Sequence, residues 1–181
     1  MVDPGDVIRI VTDAVRLVRH GEIVVFGSAA LAFWLRNAPA SRDVDLVCEP
    51  RECADPIQAL MGELSWYHKR HGAYVEVCEP ETFTPPSGWR ERAREIQVEE
   101  RVDVRLIVPH PHDLLLSKLD RWESKDREHA VRVLGEFPMT VAELEERTAR
   151  MPHRTGVVTE PDRIARFEAA LEDLRRMLVS P

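Results

Sequence analysis

No apolar run in this chain is long enough to cross a bilayer, and no charged-then-apolar leader opens it, so the expectation is a cytoplasmic protein with no membrane partner. Cysteine is scarce. Cys48, Cys53 and Cys78 are an odd number without the spacing of a zinc knuckle, which argues against a disulfide framework or a structural zinc and reads as reduced core thiols. Positive charge is in deficit. A net charge of −7 excludes a surface that grips nucleic acid over its whole extent, while leaving room for a local basic groove. Lysine is nearly absent, only Lys69, Lys118 and Lys125 standing against many arginines, a bias that carries no functional reading. There is no internal repeat and little low-complexity sequence, which removes the solenoid and disordered classes.

What remains is a chain of 181 residues, 44% hydrophobic and 31% charged, the composition of a globular protein with room for one core and a helical extension. The expected division is 1–138 for the first domain and 139–181 for a C-terminal helical part packed on it. Val7, Ile8, Val11, Ala14, Val15 and Val18 recur at helical spacing and Gly21 follows as a stop. Ile23 to Phe26 is a short apolar strand ended by Gly27-Ser28, and Ala29 to Leu35 reads as a buried helix. Asp43 to Val47 resumes as a strand, and a helix is expected over Pro56 to Leu64. Strands follow at Tyr74 to Cys78 and Val102 to Val108, separated by a proline-rich stretch from Glu79 to Glu100. That stretch predicts a mobile flap or a substrate-facing loop, with Trp89, Arg90, Arg92 and Arg94 as stacking and anion-binding groups. Later helices are expected from His112 to Trp122, from Asp126 to Leu134, after the capping-box pair Thr140 and Glu143, and from Pro161 onward.

The chemistry concentrates in the first half. Asp43 and Asp45 are two apart on a strand, so both carboxylates project from one face while Val44 and Leu46 point to the core. Such a pair repels unless a cation lies between, and magnesium, a hard ion that takes carboxylates and substrate phosphates, is the natural occupant. A solvated strand edge is the commoner explanation of Asp-x-Asp in isolation. Gly27-Ser28, just upstream, shifts the balance, since a glycine lets phosphate approach the backbone and a following helix offers amide donors; a tight turn and a helix cap are the plainer readings of the two residues. Glu76, between Val75 and Val77, faces away from the core and is favoured as a third carboxylate; Asp103, between Val102 and Val104, has the same geometry and is the alternative. Lys118 and Arg121, one turn apart on a helix, are candidates for neutralising phosphates, a plain surface pair being the duller reading. His110 and His112 flank Pro111 and read as a solvated loop pair.

The segments Phe26-Gly27-Ser28-Ala29-Ala30-Leu31 and Arg42-Asp43-Val44-Asp45-Leu46 resemble the polymerase-beta nucleotidyltransferase superfamily, whose core is a Gly-Ser turn, an Asp-x-Asp strand and a later acidic residue. The run from His112 through Asp113-Leu114 to Lys118-Leu119, followed by Lys125-Asp126, is similar to small bacterial members around the AbiEii-type toxins. His129 stands where those relatives often place an aspartate. The resemblance implies an α/β (α+β) nucleotidyltransferase fold, a small mixed sheet of about four to five strands flanked by helices. It implies two divalent ions, magnesium or manganese, about 3.5–4 Å apart, held by Asp43, Asp45 and Glu76, with a nucleoside triphosphate contacted by Gly27, Ser28, Arg42, Lys118 and Arg121. The acceptor hydroxyl would belong to RNA, a protein or a small molecule, and the protein would be a candidate toxin with an antitoxin partner. The alternative is a degenerate copy that binds a nucleotide or a partner without turnover; retention of both Asp43 and Asp45 favours the enzyme.

Overall fold

The computed structural model describes residues 3–98 and 101–179. The chain divides into two compact units, one of Met1–Thr82 with Arg92–Pro109, the other of Phe83–Glu91 with His110–Pro181.

The first unit is built on a sheet. Helix α1 (Pro4–Leu17) starts at Asp3, whose carboxylate accepts from the Asp6 amide, and buries Val7, Ile10, Val11, Ala14 and Val15 along one stripe. Strands β1 (Gly21–Phe26) and β2 (Asp43–Glu49) pair antiparallel, joined through a five-residue 3₁₀ helix, Ala29–Phe33. The expected buried helix over Ala29 to Leu35 is therefore shorter and tighter: Trp34 leaves helical geometry and the chain turns toward Pro39. Helix α2 (Asp55–Met61) ends before Gly62, three residues short of the expected Leu64, and a separate helix α3 (Trp66–His71) follows, for which the sequence carried no expectation. Strand β3 (Tyr74–Val77) lies parallel to β2.

The stretch from Glu79 to Glu100 is more regular than its prolines suggest, residues 99 and 100 lying outside the described part. It forms a 3₁₀ turn at Pro80–Thr82, a helical turn α4 (Trp89–Arg92) and an edge strand β4 (Arg94–Ile96) paired antiparallel with β5 (Val104–Val108). Its expected ligand-seeking groups are engaged internally. Trp89 meets Phe83 edge-on with Arg90 over its own ring, and Arg94 lies 4.1 Å from the Trp34 ring while donating to the Phe33 carbonyl. Pro85 and Pro86 stay in an irregular run before α4, so the regular part of the stretch is confined to its two short helical turns and to β4.

The result is a mixed five-stranded sheet of order β3-β2-β1-β5-β4, with β1 parallel to β5. Alternation sets its faces: Ile23, Val25, Val44, Leu46 and Leu106 are buried in register on one face, and Asp45 lies beside Phe26 on the other.

The second unit is helical. Helices α5 (Pro111–Leu116), α6 (Ser124–Glu136), α7 (Val141–Thr148) and α8 (Pro161–Val179) bury Leu114, Leu115, Ala130, Val133, Leu144, Phe167, Leu171 and Leu174. Thr140 and Glu143 form the capping box their spacing predicts. The helix expected through Trp122 stops at Leu116, so Lys118 and Arg121 lie in the following turns. His112 is buried with Nε2 2.8 Å from the Phe137 carbonyl, and His110 accepts from the His112 amide to start α5. The pair is structural, not solvated.

Candidate metal centre

Strand β2 lies between β1 and β3 and presents Asp43 and Asp45 on one face, both half-buried. The parallel register sets Tyr74 beside Asp43 and Glu76 beside Asp45, so all four side chains share that face. One carboxylate oxygen from each of Asp43, Asp45 and Glu76 lies within 4.8 Å of the others. Like charges that close repel by roughly 1 kcal/mol per pair in water and by several times that near a protein surface.

Two of the three carboxylates have little from the chain to offset this repulsion. Ser41 Oγ is 3.5 Å from Asp43, a weak contact, and neither Asp43 nor Glu76 makes an ion pair among the described residues. Neighbouring groups register the negative field. The Cys78 thiol is pushed up to about 12, first by burial and then by Asp45, Glu76 and Asp43, and the Tyr74 phenol is raised by burial and then by Asp43. Three converging carboxylates of graded exposure fit a hard divalent cation that keeps some ligand positions for substrate or water.

Gly27 has a specific part in this arrangement. Its φ is +67°, and a Cβ there would come within 2.0 Å of Asp45 Oδ2. The glycine thus makes room for the carboxylate itself, a reason distinct from the phosphate approach read in the sequence. Ser28 carries no side-chain cap on the 3₁₀ helix. Arg42 is exposed beside Asp43 and makes no ion pair among the described residues.

Asp103 lies elsewhere. It precedes β5, its carbonyl accepts from the Gly21 amide, and it lines a cleft with Glu22, Glu49 and Arg105. That is the start of β1, whereas Asp45 pairs with Phe26 at its end, five residues or about 17 Å along the strand. Arg105 pairs with Glu22 and not with Asp103. Of the two alternatives for a third carboxylate, Glu76 is the one that meets the aspartates.

Lys118 and Arg121 belong to the helical unit. Lys118 is buried, with Nζ 3.2 Å from Asp126 Oδ1 and 3.4 Å from His129 Nδ1. Arg121, about half exposed, donates to both oxygens of the same carboxylate. Asp126 also accepts from the Glu123 amide, closing the capping box of α6. Burial lowers the Lys118 pKa against the pull of Asp126, and it holds His129 down to about 4, Lys118 adding to the shift.

Sequence reasoning passed over Tyr74 and Ser41, the two polar neighbours of Asp43. Tyr74 was legible in principle, standing two residues before Glu76 on one strand; Ser41 was not, since its contact depends on the bend before β2.

A family model described as a nucleotidyltransferase of unknown function (DUF6036) matches residues 6–150, most of the chain, and the protein belongs to that family. No curated protein and no solved structure matches it.

Proposed function

We propose, taking that membership as the premise, that the protein transfers a nucleotide from a nucleoside triphosphate to an acceptor hydroxyl, with Asp43, Asp45 and Glu76 holding the divalent metal. The observation that most supports this is the meeting of three carboxylates from adjacent strands, of which Asp43 and Glu76 make no ion pair among the described residues. The bound ions, magnesium or manganese, would supply Lewis-acid activation of the hydroxyl and charge neutralisation at the triphosphate. The residues do the rest. Asp43 and Asp45, on a strand inside the sheet, fix the ligand oxygens; Gly27 leaves space for the Asp45 carboxylate; Glu76, the exposed member, takes the acceptor's proton as its oxygen bonds to the α-phosphorus and pyrophosphate leaves. Among the proposed phosphate contacts besides Gly27 and Ser28, Arg42 is exposed, Arg121 is half exposed but bonded to Asp126, and Lys118 Nζ is buried against the same carboxylate.

The second reading is a nucleotide- or partner-binding module without turnover; the pairing of both Lys118 and Arg121 with Asp126 leaves fewer uncommitted cations for a reacting triphosphate. A toxin role with an antitoxin partner rests on the resemblance of residues 112–126 alone.

The test incubates the protein with each α-labelled nucleoside triphosphate, magnesium or manganese, and total RNA or lysate. Label transfer that disappears in Asp45→Asn is expected. Metal-dependent nucleotide binding without transfer establishes the second reading, and binding unchanged in Asp45→Asn overturns both.

A further inference from the structure

Three of the exposed large apolar side chains cluster around one short helix: Leu60 (55% exposed), Leu64 (75%) and Trp66 (69%). Leu64 has φ +66°, a conformation that a branched-chain residue adopts only against strain, and it turns the chain into α3 with its own side chain in solvent. The helix reads Trp66-Tyr67-His68-Lys69-Arg70-His71, aromatic and basic with no acid, in a protein of net charge −7.

The helix is firmly held. Ser65 Oγ accepts from the His68 amide at 3.1 Å, Gly72 closes the other end at φ +68°, and Tyr67 donates its hydroxyl to Asp13 of α1 at 3.1 Å. Trp66, Lys69 and Arg70 stand at i, i+3 and i+4, on the side left exposed. The Arg70 guanidinium lies 5.2 Å from the Trp66 ring centroid, and neither Lys69 nor Arg70 makes an ion pair among the described residues. His68, two residues from Trp66 and on another side of the helix, points to β3, which follows α3 directly. The His68 ring is 5.0 Å from that of Tyr74, and Tyr74 is the register partner of Asp43.

We propose that α3 is a docking platform for an unpaired nucleic-acid strand, which deepens the nucleotidyltransferase reading, and rests on it, by naming the acceptor class. Trp66 offers a face on which a base stacks, Lys69 and Arg70 contact flanking phosphates, and the strand's terminal hydroxyl reaches toward Asp43 along the start of β3, where Tyr74 is that aspartate's register partner. Every base has a π-face, so a platform of this kind binds strands with little regard to sequence. An acidic peptide would use the two cations but not the exposed ring, and a duplex would hide its bases from Trp66. The favoured ligand is therefore a single strand.

The test is fluorescence anisotropy with labelled strands of about 12 nucleotides, in the size range one such surface covers, as RNA and as DNA, in EDTA so that no metal contributes. Binding of either strand in the range of about 1–100 µM is expected, weakening as salt rises. Trp66→Leu, which keeps an apolar side chain but removes the stacking face, should weaken binding by about 5-fold or more without changing the salt dependence. Lys69→Glu with Arg70→Glu should weaken it by more than about 10-fold and flatten that dependence. Wild-type affinity in Trp66→Leu, equal binding of a blunt duplex, or displacement of the strand by polyglutamate would each overturn the proposal. Asp45→Asn should still bind the strand in EDTA while losing manganese-dependent nucleotide binding. Loss of strand binding in wild type alongside intact nucleotide transfer would sink the docking site and leave the transferase reading standing.

Discussion

Two charge clusters in this protein use similar ingredients to opposite ends. In the sheet unit, three carboxylates converge and neither Asp43 nor Glu76 has an ion-pair partner among the described residues. In the helical unit, Asp126 is fully buried, yet it takes Lys118, Arg121 and the Glu123 amide, so each lone-pair direction is answered from within the chain. A charge compensated from within is part of the architecture, and removing one partner leaves the other stranded. A charge left uncompensated at the surface of a folded unit costs stability until something arrives to offset it. The contrast locates the ligand-seeking site more securely than acidity does, since acids are abundant in both units.

The sharpest way to break this comparison is to delete one carboxylate from each cluster. Asp126→Ala strands the buried Lys118 ammonium and should cost about 3–5 kcal/mol in urea denaturation. Asp43→Asn, in metal-free buffer, should be neutral or slightly stabilising, because it relieves repulsion. Equal destabilisation by the two variants would erase the distinction. A smaller effect is expected at Gly27. Alanine there must adopt a left-handed backbone, at about 1–2 kcal/mol, and its methyl would displace the Asp45 carboxylate. Gly27→Ala should thus melt a few degrees lower and bind manganese more weakly; unchanged metal affinity would show that the glycine serves only the turn.

A graded effect, spread over pH, concerns acid. His129 is held down to about 4 by burial and by Lys118, whereas in the unfolded chain it takes up a proton below about 6.5. Between those values the unfolded state binds the extra proton, so stability should rise with pH across this window by at most about 1.4 kcal/mol per pH unit. His112, lowered by burial in the same unit, adds to the slope. His129→Gln should flatten the curve measured between pH 5 and 7, and an unaltered slope would exonerate this imidazole.

Much of the sheet was legible because its signal is local. Val44 and Leu46 alternating with Asp43 and Asp45, and Val75 and Val77 around Glu76, state which face each residue takes before any partner is known. What stayed hidden depends on distant partners or on short elements. β4 is three residues long and exists through pairing with β5; α3 is a single helical turn and a half whose only cues are Ser65 before it and Gly72 after it. His110 and His112 look like a loop pair because nothing nearby announces the Phe137 carbonyl, 25 residues on. Gly27 was noticed, but the room it leaves for Asp45 was not, since that carboxylate lies 18 positions later on another strand.

The placement of both aspartates on alternate positions of β2 has a bearing on how the chain finds its fold. A slip of one residue against β1 would exchange the two faces of the strand, sending Asp43 and Asp45 together into the layer now filled by Val44, Leu46, Val25 and Ile23. Burying two unpaired carboxylates there is prohibitive, so a slipped pairing cannot complete the core. The acids therefore proofread the pairing of β1 with β2 in every molecule that folds, whether or not it ever meets a metal ion.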